Sequence, residues 1–255
     1  MPSPPSPVVD VRRAADRART RTDWLDSRHS FSFGRHYDPG NTSYGLLLAH
    51  NEDVVRAGAG FDEHPHRDVE IITWVLRGSL AHQDSTGHRG VIGPGVLQRM
   101  SAGSGVVHSE RNAAGGTGPG RDADVHLVQM WLAPDDPGGE PDYEQCELDD
   151  AALRSGLVAV AAGRADIGAA LRIGCRDAVL LAARLVPGQS VVLPDAPWVH
   201  LFVSAGAVDL TGGAVPGVVE LRVGDAVRLT GAGGPVVTAA APAEVLVWEM
   251  HAALG

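Results

Sequence analysis

The chain has 255 residues, 44% hydrophobic and 20% charged, enough for one large or two modest globular domains. Its formal net charge is −10 and all 21 basic residues are arginine. An acidic chain without a basic run excludes direct nucleic-acid binding, and the lack of lysine excludes lysine-based catalysis.

Residues 1–8 are rich in proline and serine and read as loose, with no apolar core of a secretory leader. No apolar run is long enough to span a bilayer, so no membrane association is expected. The two cysteines, Cys146 and Cys175, have neither zinc nor redox spacing, which points to a reduced, cytoplasmic chain. Residues 8–11 read as a first strand and 12–22 as a connector or helical turn. The stretch 24–45 mixes aromatics with the turn formers Asp38, Pro39, Gly40 and Asn41. Within it the alternation of Phe31 and Phe33 reads as a half-buried strand near a barrel mouth.

From Leu46 onward apolar runs alternate with turn signals about every ten residues, as in an all-β sandwich or barrel. A polar, proline-rich break at 133–150 divides two units: an N-terminal barrel over 1–140 and a C-terminal barrel over 141–255. Residues 150–163 hold a short helix or a strand, and 252–255 form a tail. The fold class is therefore all-β, two barrels in tandem with few short helices.

Two runs carry the chemistry. His64-Pro65-His66 and His108-Ser109-Glu110 each place two donor side chains two residues apart. In a strand, residues i and i+2 share a face, so facing strands would bring three imidazoles and a carboxylate to one point. Such borderline donors suit one divalent transition metal: Fe(II), Mn, Co, Ni, Cu or Zn. Four protein ligands leave open positions, the mark of a catalytic rather than a sealed site. Spacing alone also permits Glu70 as the carboxylate, because strand parity gives it the face of His64 and His66. The imidazoles must be neutral to bind, so binding is expected to weaken below their ordinary pKa of ~6.5.

The second barrel can be aligned by hand to the first. Gly78 matches Gly206 and Gly95 matches Gly224. Equal counting then puts Val192 and Pro194 in the places of His64 and His66, and Val237 and Ala239 in those of His108 and Glu110. All four are apolar, so the second barrel is expected to bind no metal.

These residues resemble a known pattern. Gly58, His64, His66, Glu70 and Gly78 are spaced like the first cupin motif, and Gly105, His108 and Asn112 like the second. The proline usual two residues before the glycine of the second motif is replaced by Gly103. FDEHPHRDVEIITWVLRGSLAHQDSTGH with MSAGSGVVHSERN resembles the pirin family of bicupins. WLDSRHSFSFGRHYDPGN and DVHLVQMWLAPDDPGGEPDYEQ are similar to its bacterial members described as quercetin 2,3-dioxygenases. The resemblance implies two cupin barrels, the second degenerate, and a metal held by His64, His66, His108 and Glu110. It favours Glu110 over Glu70 as the ligand. It further implies a dioxygenase that opens the central ring of a flavonol with O2, with Glu110 as general base and carbon monoxide released. The alternative it implies is a non-enzymatic, metal- or redox-sensing regulator that binds partner proteins. A monomer is expected in either case.

Other residues receive plainer readings. His82 pairs with Asp84 or faces solvent, and His126 is a satisfied histidine on an apolar strand. Trp74, Met130 and Trp131 read as core. The AGSG stretch at 102–105 lacks a following helix and reads as a turn feeding the His108 strand. His29, His36, His50, His88, His200 and His251 have no spacing that assigns them a role.

Overall fold

The structure, a computed structural model, describes residues 7–113 and 123–254. Most of the expectation for the Pro/Ser-rich start therefore lies outside the described residues, as does the last residue of the tail. Among the described residues the chain is built of strands, with one α-helix, Asp150–Ser155, and one 3-10 turn, Ala14–Asp16. No helix among them is long and apolar enough to cross a membrane.

Each half of the molecule pairs a seven-stranded sheet with a four-stranded sheet. In the first half the small sheet runs in the order Gly60–His66, Val106–Asn112, Leu80–Asp84, Arg89–Ile92. In the second half it runs Ser190–Val192, Val236–Ala239, Ala207–Thr211, Val218–Arg222. The same order in both halves makes the chain two cupin barrels in tandem. Gly78 and Gly206 take the same place in it, with φ of 77° and 74°. A Cβ at either would strike backbone atoms, of Asp124 in one barrel and of Pro242 in the other. Both turns require glycine for the same two reasons.

The division at 140/141 does not follow the sheets. Strand Val8–Arg12 pairs with Ala226–Thr230 at the edge of the second barrel's large sheet. Strand Asp142–Glu147, inside the expected linker, pairs with Val96–Ser101 at the edge of the first. Each barrel thus takes an edge strand from beyond its own segment. The helix Asp150–Ser155 follows at once. The Asp149 carboxylate caps it by accepting from the backbone N–H of Ala151 and Ala152, and Gly156 ends it. Residues 150–163 hold both expected elements, this helix and then strand Val158–Ala162.

The two large sheets pack face to face. Trp74, Leu97, Val128 and Met130 from one meet Ala182, Phe202, Leu246 and Trp248 from the other in one buried cluster. The barrel interiors differ sharply. The second is filled by aliphatic side chains, among them Leu201, Val203, Leu210, Leu229, Val237 and Val247. The first has two smaller apolar clusters, around Leu80 and Leu127 and around Ile71 and Met100. Residues that share the inward parity of these clusters in mid-strand are polar: Asp53, Thr73, Gln98, His108, Glu110 and Gln129. One barrel is a packed core and the other holds a polar layer in mid-barrel.

Pairing also corrects the hand alignment. Asn112 lies opposite Leu80, and Ala239 opposite Val208, in equivalent hairpins. The counterparts of His108 and Glu110 are therefore Pro235 and Val237, two residues earlier than equal counting gave. Opposite Pro235 stands Leu193, whose N–H bonds to its carbonyl at 2.8 Å, in the place of His64. None of these three side chains carries a metal-binding atom, but the counterpart of His66 is then the exposed Asp195, so the four positions are not all apolar.

Candidate metal centre

The two donor runs lie on adjacent antiparallel strands, with His64 directly opposite His108. Beyond that pair the register shifts, and Glu110 faces Phe61. Three steps on one strand meet two on the other, a β-bulge at Asp62 and Glu63. Simple alternation from His64 would aim Asp62 inward. The bulge instead exposes Asp62 and Glu63 and turns Phe61 against the apolar cluster inside the barrel. It also brings the Asp62 carbonyl to within 2.7 Å of His64 Nδ1, which donates to it. That bond fixes the tautomer and leaves Nε2 of His64 free to bind a metal.

Donor nitrogens of His64, His66 and His108 all lie within 4.8 Å of one another. His108, Glu110 and His82 form a second group of the same tightness. The structure thus draws the three expected imidazoles into one cluster and sets Glu110 beside His108. Nε2 of His66, Nε2 of His108 and Oε1 of Glu110 are buried without a hydrogen-bond partner. A buried polar atom left unsatisfied costs about 1–3 kcal/mol, so three on neighbouring side chains call for a common partner. A divalent cation fits that need and the donor set. The other Glu110 oxygen accepts from Gln129 Nε2 at 2.8 Å, and Gln129 Oε1 accepts from Trp131 Nε1 at 2.9 Å.

Burial sets the charge states. It pushes His66 down to about 4, with His64 adding to the effect. It pushes His108 down to about 2, with His64, His66 and His82 adding. Both rings are neutral far below the expected ~6.5, so their protonation is not what opposes a metal in mildly acidic solution. Burial moves Glu110 the other way, raising it to about 7 against the hydrogen bond from Gln129. Asp53 is raised in the same way to about 7, by burial and by the nearby Glu110 charge, against a hydrogen bond from Ser27.

The cluster opens into a cavity of about 470 Å³. Phe33, Phe61, Leu25 and Trp131 supply apolar walls, while Ser27, His29, Asn51 and Asp53 form a polar side. His29 Nδ1 donates to Asn51 Oδ1 at 3.0 Å, and its Nε2 accepts from Thr20 Oγ1 at 3.0 Å. Sequence reasoning singled out none of these polar residues. Asn51, Asp53 and Gln129 do leave a trace, as polar side chains at inward positions of otherwise apolar strands.

The sequence profile of the family described as Pirin matches residues 11–132. A Mycobacterium tuberculosis protein named "Putative quercetin 2,3-dioxygenase" is 56% identical over 97% of both chains. The solved bacterial pirin YhhW of Escherichia coli, in complex with nickel(II), superposes with a TM-score of 0.84. It is 32% identical, over 96% of this chain and all of its own. The chain belongs to the pirin family. An Escherichia coli K12 protein named quercetin 2,3-dioxygenase is also similar, 42% identical over 56% of this chain and 59% of its own.

In this pirin the remaining residues that the sequence raised find other places. Glu70 lies on the large sheet and faces the second barrel. Its Oε2 accepts from Ser101 Oγ at 3.0 Å and from the Gly174 N–H at 3.1 Å, so it ties the barrels together. His126 bonds to Glu52 at 3.0 Å, and Glu52 also accepts from Arg17 at 2.7 Å. Trp74 and Met130 belong to the core between the barrels, but Trp131 stands edge-on to His66 at 4.9 Å and walls the cavity. The expected strand through Phe31 and Phe33 is absent. Phe31 is buried under Arg228 and Phe33 lines the cavity. Gly103, in the place of the usual proline, has φ of 48°, which a proline ring cannot adopt. A Cβ there would also lie 2.1 Å from the Gly139 carbonyl oxygen. His82 is buried beside His108 and bonded to Asp84 at 3.3 Å.

Proposed function

We propose that this pirin is a metal-dependent dioxygenase that opens the central ring of flavonols such as quercetin with O2 and releases carbon monoxide. One observation carries the reading: unsatisfied imidazole nitrogens and a free carboxylate oxygen meet at a 470 Å³ cavity walled in part by Phe33, Phe61 and Trp131. That volume lies in the range of small-molecule sites, and flat aromatic walls suit a flat polyphenol. The names of the mycobacterial and Escherichia coli relatives support the same substrate class.

His64, His66, His108 and Glu110 would hold the ion, with Fe(II) the first expectation. A bound divalent metal would supply Lewis-acid stabilisation of a substrate oxyanion. Glu110 has the form of a general base. One oxygen is anchored by Gln129 and the other has no protein partner, and without an ion burial raises the group to about 7. In this reading Glu110 is both ligand and base, and its Oε1, once released from the ligand role, takes the proton of the flavonol 3-hydroxyl. Phe33, Phe61 and Trp131 orient the rings and exclude water, and Asp53 and Asn51 face the substrate's polar rim.

The test is loss of the near-visible absorbance of quercetin, together with O2 uptake and carbon monoxide release. Protein loaded separately with Fe(II), Mn, Co, Ni or Cu should turn over with at least one of them. Metal-loaded protein that is inert with all five, yet captures a defined partner protein, would replace this reading with that of a metal-sensing regulator.

A further inference from the structure

We propose that His82 and Asp84 are positioning residues that set the tautomer of His108 and so aim its Nε2 at the metal. The proposal rests on the reading of His108 as a metal ligand.

Asp84 is buried, with three donors at one carboxylate oxygen and two imidazole nitrogens at the other. Oδ1 accepts from Thr86 N at 3.0 Å, Thr86 Oγ1 at 2.7 Å and His88 N at 3.0 Å. Oδ2 faces His82 Nε2 at 3.3 Å and His88 Nδ1 at 3.2 Å. A carboxylate so surrounded is an acceptor, so His82 must carry its proton on Nε2. Nδ1 of a neutral His82 is then a bare acceptor, and it lies 3.4 Å from His108 Nδ1. His108 must therefore be the donor of that pair. Its proton sits on Nδ1, and Nε2, buried with no partner, is left bare for an ion shared with His64 and His66. Carboxylate, outer imidazole and inner imidazole form one directed chain, longer by a ring than the common carboxylate–histidine–metal arrangement.

The outer ring is held in place independently. Tyr143 stacks on His82 with centroids 4.6 Å apart and planes 21° apart. Gly90, opposite His82 across the hairpin, makes room for it, since a Cβ there would lie 2.2 Å from the Tyr143 hydroxyl oxygen. Tyr143 comes from the edge strand Asp142–Glu147, so a segment outside the first barrel's own span clamps its metal site.

The test uses the metal-free full chain and then Ni(II). Long-range proton–nitrogen NMR of the 15N-histidine protein should show His108 protonated at Nδ1 and His82 at Nε2. His82→Phe keeps a ring under Tyr143 but removes the acceptor. It should release the His108 tautomer preference and weaken Ni(II) binding about 10–100-fold. His82→Gln, which restores an acceptor oxygen, should recover most of that affinity. Finding His108 protonated at Nε2 in the wild type, or wild-type Ni(II) affinity in a folded His82→Phe protein, would overturn the proposal. If His82→Phe does not fold, the wild-type NMR result and the Gln variant decide. Wild-type protein that binds no Ni(II) would end this proposal together with the metal centre. Tight Ni(II) binding without flavonol turnover would end only the oxygenase reading.

Discussion

At the scale of single residues, Glu110 and Gly103 carry the sharpest expectations. Glu110 has one oxygen tied to Gln129 and the other free. Glu110→Gln keeps the shape and an oxygen donor but cannot take a proton. It should retain most of the bound metal and lose roughly 10²–10⁴ in kcat. Metal content by mass spectrometry beside quercetin turnover checks both halves, and unchanged turnover would remove Glu110 as the base. Gly103→Pro would restore the residue usual to the motif, yet the position has φ of 48°. It should destabilise the protein by on the order of 2 kcal/mol in denaturant titration, because that backbone conformation is closed to proline. A neutral or stabilising effect would mean that the turn is not built as described.

At the scale of elements, strands Leu47–Val55 and Trp198–Ala205 each send a histidine into the contact between the barrels. His50 and His200 are fully buried with rings 4.9 Å apart, beside Phe202 and Phe31 and near the cations Arg17 and Arg228. Burial drives His50 well down, with the neighbouring His200 and Arg17 adding, and drives His200 to about 3, with Arg228 and Arg17 adding. The unfolded ring takes up a proton below ~6.5 and the folded ring does not. Stability from His200 is therefore complete above pH 6.5 and is lost as pH falls toward 3, by about 2 kcal/mol at pH 5. Glu110 and Asp53, raised to about 7, pull the other way over part of this range, so the comparison must be with a variant. His200→Phe should flatten the fall in unfolding free energy between pH 7 and 5, and equal slopes in both proteins would contradict the account. In the second barrel, Leu201→Ala should cost about 2–5 kcal/mol with no direct effect on the distant cavity, by calorimetry and turnover together.

The same scale shows what the sequence revealed. Strand alternation and turn residues marked most strands after Leu46 but not Ala18–Arg21, Leu25–His29 or Asp142–Glu147; the HxH and HxE runs marked the candidate ligands, because period-two geometry is local. The bulge at Asp62 and Glu63 was not legible. It adds one residue to a strand without any local signal. The count made by equal steps failed for another reason: the second barrel's connectors are shorter, by one residue between Leu193 and Gly206 and by two between Gly224 and Pro235. Glu70 misled for a related reason. Parity predicts a face only within one strand, and Glu70 lies on a different strand from His64 and His66. His29 and Asn51 were missed because their meeting depends on which strands become neighbours.

At the scale of the whole molecule, the boundary at 140/141 fails because edge strands are contributed from outside each segment. Residues 1–140 expressed alone would lack the strand that carries Tyr143, and residues 141–255 would lack Val8–Arg12. Each half should aggregate or remain unfolded, and the intact chain should melt in one transition by calorimetry. Two separable transitions would show the barrels to be independent.

The clamp of Tyr143 on His82 gives this interlocking a further meaning. A nascent chain released from the ribosome as far as residue 132 has synthesised every proposed ligand, yet it still lacks the tyrosine that braces the outer histidine. Competence to capture an ion firmly should therefore arrive late in synthesis, only after the polypeptide has passed the first barrel and doubled back along its rim.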